Sequence, residues 1–124
     1  MVADTKVWEQ SAAYFIDRSE HVEAFAKNAG LGFAIPYLHN GQPHDYIPDF
    51  VIRLRGPDPV HLILETNGFD ELADIKTQAA QRWVDAVNAE GSFGTWKYSL
   101  VKKPGDIAAV IRQVAEASGP HDQP

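Results

Sequence analysis

The sequence predicts an α/β domain built on a mixed four-stranded sheet flanked by helices, and three observations carry that prediction. Short continuous apolar runs, Phe50-Val51-Ile52 and Leu62-Ile63-Leu64 foremost, stand between turn-forming clusters such as Asn40-Gly41 and Gly56-Pro57-Asp58-Pro59. After them comes a long stretch, Leu72 to Ala89, in which Ile75, Ala79, Trp83 and Val87 recur at helical spacing. A strand that follows such a helix has to return across the sheet. That makes the last pairing parallel and right-handed, while the three strands before it form a meander.

Taken in order, Lys6 to Asp17 places Trp8, Ala12, Phe15 and Ile16 on one helical face. Glu20 to Asn28 reads as a second short helix, with Val22, Phe25, Ala26 and Ala29 inward and Asn28-Ala29-Gly30 as its stop. Phe33 to His39 is the first strand, Asn40-Gly41 a hairpin turn, Asp49 to Arg55 the second strand and Val60 to Thr66 the third. Gly91 and Gly94 end the long helix, and Trp96 to Val101 is the fourth strand. Pro104 suits the first turn of a last helix that buries Ile107, Val110, Ile111 and Val114. The whole is one domain over 1–124: a helical part at about 5–29, a sheet core at about 33–101, a helix at about 105–117 and a tail at 119–124.

Composition narrows the functional classes. At 124 residues and 44% hydrophobic content the chain is long enough to bury a core. It has no apolar run of membrane-spanning length, no signal-peptide pattern and no cysteine, so the expected compartment is the cytoplasm, with no membrane partner. Thiolate zinc is excluded, and the histidines His21, His39, His44, His61 and His121 show no paired ligand spacing. A net charge of −6 argues against bulk electrostatic grip on nucleic acid, although Arg53, Arg55, Arg82, Lys97, Lys102 and Lys103 are candidates for a local stripe.

The chemistry concentrates in two acids. Strand periodicity puts Asp49, Val51, Arg53 and Arg55 on one face, and His61, Ile63, Glu65 and Asn67 on one face of the next strand. A hairpin between them brings Asp49 opposite or near Glu65 at one end of the sheet. Two carboxylates so placed repel each other. A hard cation with oxygen ligands relieves that repulsion, and it can polarise a phosphoryl oxygen or acidify a bound water.

The order of elements around Pro48-Asp49 and Glu65-Thr66-Asn67 resembles the PD-(D/E)xK nuclease core. More specifically, Trp8-Glu9-Gln10-Ser11-Ala12-Ala13, Val22-Glu23-Ala24-Phe25-Ala26-Lys27-Asn28, Leu31-Gly32-Phe33, Ile35-Pro36-Tyr37 and Tyr46-Ile47-Pro48-Asp49-Phe50 are similar to the C-terminal endonuclease domain of type III restriction enzyme Res subunits. So are Leu62-Ile63-Leu64-Glu65-Thr66, Ala79-Ala80-Gln81-Arg82-Trp83-Val84 and Ala86-Val87-Asn88, and the likeness runs from about Val7 to Val114. It implies Mg²⁺-dependent cleavage of DNA, with Mn²⁺ as a substitute, in a larger restriction system with an upstream helicase/ATPase region and a modification subunit. Cutting both strands of a duplex would call for a homodimer on the substrate. No Gly-x-x-x-x-Gly-Lys-Ser/Thr loop is present, so ATP hydrolysis by that route lies outside this sequence.

The resemblance assigns the metal to Asp49, Glu65 and the backbone carbonyl of Thr66, with Glu9 of the first helix as a further acid and Glu23 as its rival. The pattern's lysine is replaced by Asn67, an amide that offers hydrogen bonds without charge. Lys76, on the following helix, is the substitute cation; its other reading is an exposed lysine beside the Ile75 stripe. His44 and Tyr46 either touch substrate or pack. Trp83 and Trp96 read as core aromatics. The expected activity is phosphodiester hydrolysis, and a catalytically silent nuclease-like docking or assembly module is the alternative that Asn67 leaves open.

Overall fold

A computed structural model describes residues 5–28, 31–56, 60–66 and 72–118. Helix α1 (Thr5–Arg18) is followed by strand β1 (Val22–Lys27), then by β2 (Ile35–His39) and β3 (Gln42–Tyr46). Strands β4 (Phe50–Leu54) and β5 (Val60–Glu65) precede helix α2 (Ala73–Glu90), strand β6 (Thr95–Leu100), a 3₁₀ turn (Pro104–Asp106) and helix α3 (Ile107–Ser118). The main sheet has the order β1-β4-β5-β6, and β2-β3 is a separate two-stranded ribbon. Strands β1, β4 and β5 are antiparallel neighbours, and β6 returns parallel to β5 after α2.

A mixed sheet of four strands, three of them antiparallel neighbours, is therefore present, but its first strand is not the one the sequence suggested, and the β2–β3 ribbon intervenes before the next, so the three are not a sequential meander. Val22–Lys27 is a strand and not part of a second helix, so the helical N-terminal part ends at Arg18. The physical reason is a β-bulge. Val22 pairs with Leu54 and Ala24 with Arg53, which leaves Glu23 as the extra residue. The bulge lets Val22 and Phe25 both contribute to the same core, a spacing that without it would belong to a helix. Phe25 there meets Phe50 at 6.2 Å between ring centres.

The expected Phe33–His39 strand begins at Ile35 and leaves the meander altogether. It pairs only with β3 through the turn at Asn40 and Gly41, whose φ values of 54° and 73° are those of a tight hairpin turn. Pro36 and Pro43 favour the separation, because proline has no N–H to donate to a ladder and belongs in a ribbon with free edges. Asp49 also sits one residue before its strand.

Two apolar layers sandwich the sheet. On one face Phe50, Ile52, Leu54, Leu62 and Leu64 pack against Ala12 and Ile16 of α1 and Ile107 and Ile111 of α3, with Val110 and Val114 alongside as expected. On the other, Ile63 meets Ala79, Ala80 and Val84 of α2 and Ile35, Tyr37 and Tyr46 of the ribbon. Strand β5 is thus apolar on both sides, as a central strand must be. Trp83 and Trp96 pack partly buried against this second layer, Trp96 with its ring stacked 4.5 Å from that of His61. Helix α2 stops at Gly91, which takes the left-handed conformation (φ 85°) and donates its amide to the Val87 carbonyl.

One buried polar side chain positions the site. Asn28 is 2% exposed; its Nδ2 donates to the carbonyls of Phe33 (2.7 Å) and Pro48 (2.9 Å), and its Oδ1 accepts from the Phe33 amide. It ties the chain after β1 to the residue just before Asp49. Asn28→Ala is expected to lower stability by about 2–4 kcal/mol, because two carbonyls and an amide lose a partner away from water. Urea denaturation checks this; an unchanged midpoint would show that water replaces the side chain.

Candidate functional site

The β4–β5 register sets Phe50 opposite Leu64, so Asp49 and Glu65 follow as the next pair at the same end of the sheet. The side chain of each reaches the backbone of the other's strand. Oε1 of Glu65 accepts the Asp49 amide at 3.2 Å, and Oδ2 of Asp49 accepts the Thr66 amide at 3.0 Å together with a short bond from the Thr66 hydroxyl. Glu65 is 8% exposed and Thr66 2%. The expected meeting of the two acids is present, and Thr66 joins it by bracing Asp49 with its N–H and hydroxyl.

Burial drives the electrostatics. It pushes the Glu65 carboxyl up to about 8, and the negative charge of Asp49 adds to the effect. The Tyr46 hydroxyl, the Asp49 amide and the charge of Lys76 pull the other way without offsetting it. Tyr46 bonds both Glu65 and the Tyr98 hydroxyl, the latter at 2.9 Å. Burial, then the nearby Glu65, raise its own pKa so far that it stays a phenol. Tyr98 is raised by burial too, against hydrogen bonds to Tyr46 and Thr77. The result is a small network of neutral donors around one reluctant carboxylate.

Lys76 belongs to this group. Its Nζ lies 5.7 Å from the centre of the Tyr46 ring, and its charge acts on Glu65. The helix lysine thus reaches the acid end of the sheet. Asn67 lies outside the described residues, as do the side chain of Glu9, the turn residues 57–59 and the tail 119–124. Glu23 does not join the acids: it is on the bulge of β1, where it pairs with Arg53 at 3.9 Å. His44 is exposed on the ribbon, stacked on Tyr37.

Tyr98 and Thr77 are the members that the sequence did not reveal. Tyr98 reaches the group because β6 pairs with β5 in a register that sets it against Ile63, and no local pattern specifies a parallel register. The sheet end that carries the acids also gathers lysines. Lys27 pairs with Phe50, next to Asp49, and the Val101 amide donates to the Glu65 carbonyl at 2.8 Å, which sets exposed Lys102 and Lys103 just beyond. Arg53 and Arg55 are at the other end of β4, so the basic residues form no single stripe.

Among the described residues no group of three or more histidine, cysteine, aspartate or glutamate side chains is placed to hold a metal. Asp49 and Glu65 nevertheless suit a divalent cation: a buried carboxyl held unionised beside a second carboxylate is the environment a hard ion reverses. No helix among the described residues is long and apolar enough to cross a membrane. No family model matches the chain, and neither does a curated protein or a solved structure.

Proposed function

We propose that this chain is a divalent-metal-dependent nuclease domain that hydrolyses DNA phosphodiesters, as part of a larger type III-like restriction system. One observation carries the reading: at one end of the sheet the Glu65 carboxyl accepts the Asp49 amide and the Asp49 carboxylate accepts the Thr66 amide, with Glu65 buried. Exposed Lys102 and Lys103 just beyond that end support a polyanionic substrate in a chain whose overall charge is −6. Asp49 and Glu65, with the Thr66 carbonyl, would hold Mg²⁺ or Mn²⁺. When bound, the ion supplies charge stabilisation at the phosphoryl group and a more acidic water.

The protein's own residues do the rest. Thr66 fixes the Asp49 carboxylate by two hydrogen bonds, so its rotamer is set before any ligand arrives. Tyr46, itself held by Tyr98, orients Glu65. Lys76 places a positive charge beside the pair and takes the part of the motif lysine, orienting water and countering negative charge as phosphorus is attacked.

A second reading has an observation of its own. Thr66 satisfies Asp49 as a structural carboxylate is satisfied, and Asn67 replaces the motif lysine, so the domain would be a catalytically silent docking or assembly module. Supercoiled plasmid incubated with Mg²⁺, Mn²⁺ or a chelator separates the two. The nuclease nicks with metal and stops with the chelator, and Lys76→Met slows nicking by roughly 100-fold, the loss usual for one charge-stabilising donor. Nicking that appears only in Asn67→Lys identifies the silent module. Equal rates in wild type and Lys76→Met remove Lys76 from the mechanism.

A further inference from the structure

The strand spacing of His39 and His44 hides a pairing that the hairpin creates. Across the Asn40-Gly41 turn, His39 stands opposite Gln42 and His44 opposite Tyr37, so the two histidines are diagonal neighbours on one face of the ribbon. Their ring centres are 6.2 Å apart at an angle of 58°. His39 is half-buried and His44 exposed, so both imidazoles are open to an ion from solution. Tyr37, 7% exposed, lies under His44 with ring centres 5.4 Å apart and planes 25° from parallel, which restricts the ring that has more freedom.

We propose that His39 and His44 form a bidentate site for a borderline divalent transition-metal ion of the zinc and copper type, separate from the acid pair. An ion bound at about 2.0–2.1 Å by one nitrogen of each ring holds the ring centres roughly 5–6 Å apart, close to the separation found. Imidazole donors select such ions, while the carboxylates of Asp49 and Glu65 select hard ones, so the two sites divide the available metals by chemistry. The side-chain amides of Asn40, 3.4 Å from Nε2 of His39, and of cross-strand Gln42 border the site and offer an oxygen once the ion displaces the weak Asn40 contact. Since the ligands come from both strands, the bound ion clamps the ribbon whose far end carries Tyr46 to the acid pair.

The test is calorimetric titration of the tag-free chain with ZnCl₂ in excess MgCl₂, with Cu²⁺ electron paramagnetic resonance to count nitrogen donors. One saturable zinc site per chain is expected, with two nitrogens on Cu²⁺. His39→Gln and His44→Gln should each weaken zinc by at least the about 10- to 100-fold that loss of a ligand's supporting partner costs. Asp49→Asn and His21→Gln should leave it unchanged. Absence of saturable uptake, zinc binding that survives in His39→Gln/His44→Gln, or binding abolished by Asp49→Asn would overturn the proposal. No DNA enters the measurement, so the nuclease reading and this one fail independently.

Discussion

Asp49→Ala is expected to lower plasmid nicking by roughly 1,000-fold, the equivalent of about 4 kcal/mol of lost charge stabilisation. The same change should lower stability by about 2–3 kcal/mol, because the Thr66 amide and hydroxyl lose their acceptor in a place water scarcely reaches. Asp49→Asn separates the two effects. An amide oxygen can still accept from Thr66, so most of the stability should return, while the negative charge that a cation needs is gone. Removing that charge also takes away one of the two causes that raise Glu65, so its titration, followed by carboxyl-carbon NMR, should move down. If Asp49→Asn nicks at the wild-type rate, the acid pair is not the reactive centre.

A stability that falls with rising pH is the second large effect. Glu65 stands at about 8 in the folded chain against 4.5 for an ordinary glutamate, so the native state holds its proton more tightly than the unfolded one. The contribution of this group is therefore fully present below pH 4.5 and is lost as pH rises through about 8. Within that window one proton gives a slope of up to about 1.4 kcal/mol per pH unit. Urea denaturation from pH 5 to pH 8.5 reads it directly. Glu65→Gln should flatten this part of the profile and exceed wild type in stability at pH 8.5, since the buried amide is never asked to ionise. Mg²⁺ or Mn²⁺ competes with the same proton, so the rise in melting temperature on adding metal should be greater at pH 8 than at pH 5. A slope that persists in Glu65→Gln would assign it to other groups.

The acid pair was legible because it depends on local rules. The two-residue period of any strand sets the faces of Phe50–Leu54 and Val60–Glu65, and antiparallel pairing of two such adjacent runs then brings Asp49 to Glu65. The stripe of α2 was legible for a similar reason, whereas the sequence left Lys76 between two readings that its position over the Tyr46 ring separates. The edge strand was not. Val22 and Phe25 share a core face through a bulge, and a bulge leaves in sequence the same spacing as a helix. Likewise His39 and His44, with four residues between them, look like no ligand motif until a turn folds them together.

What the amino-acid order determined by itself is the run of strand, turn, strand and helix that carries Asp49, Glu65 and Lys76, since each step rests on neighbours within a few residues. The tertiary structure alone decided that Val22–Lys27 closes the sheet as a strand and that the ribbon stands outside it. It alone decided that Tyr46 and Tyr98 close over Glu65. Those outcomes depend on which distant surfaces bury one another. The raised pKa of Glu65 does too, because a carboxyl loses its water only when a strand, a ribbon and a helix from separate parts of the chain meet around it.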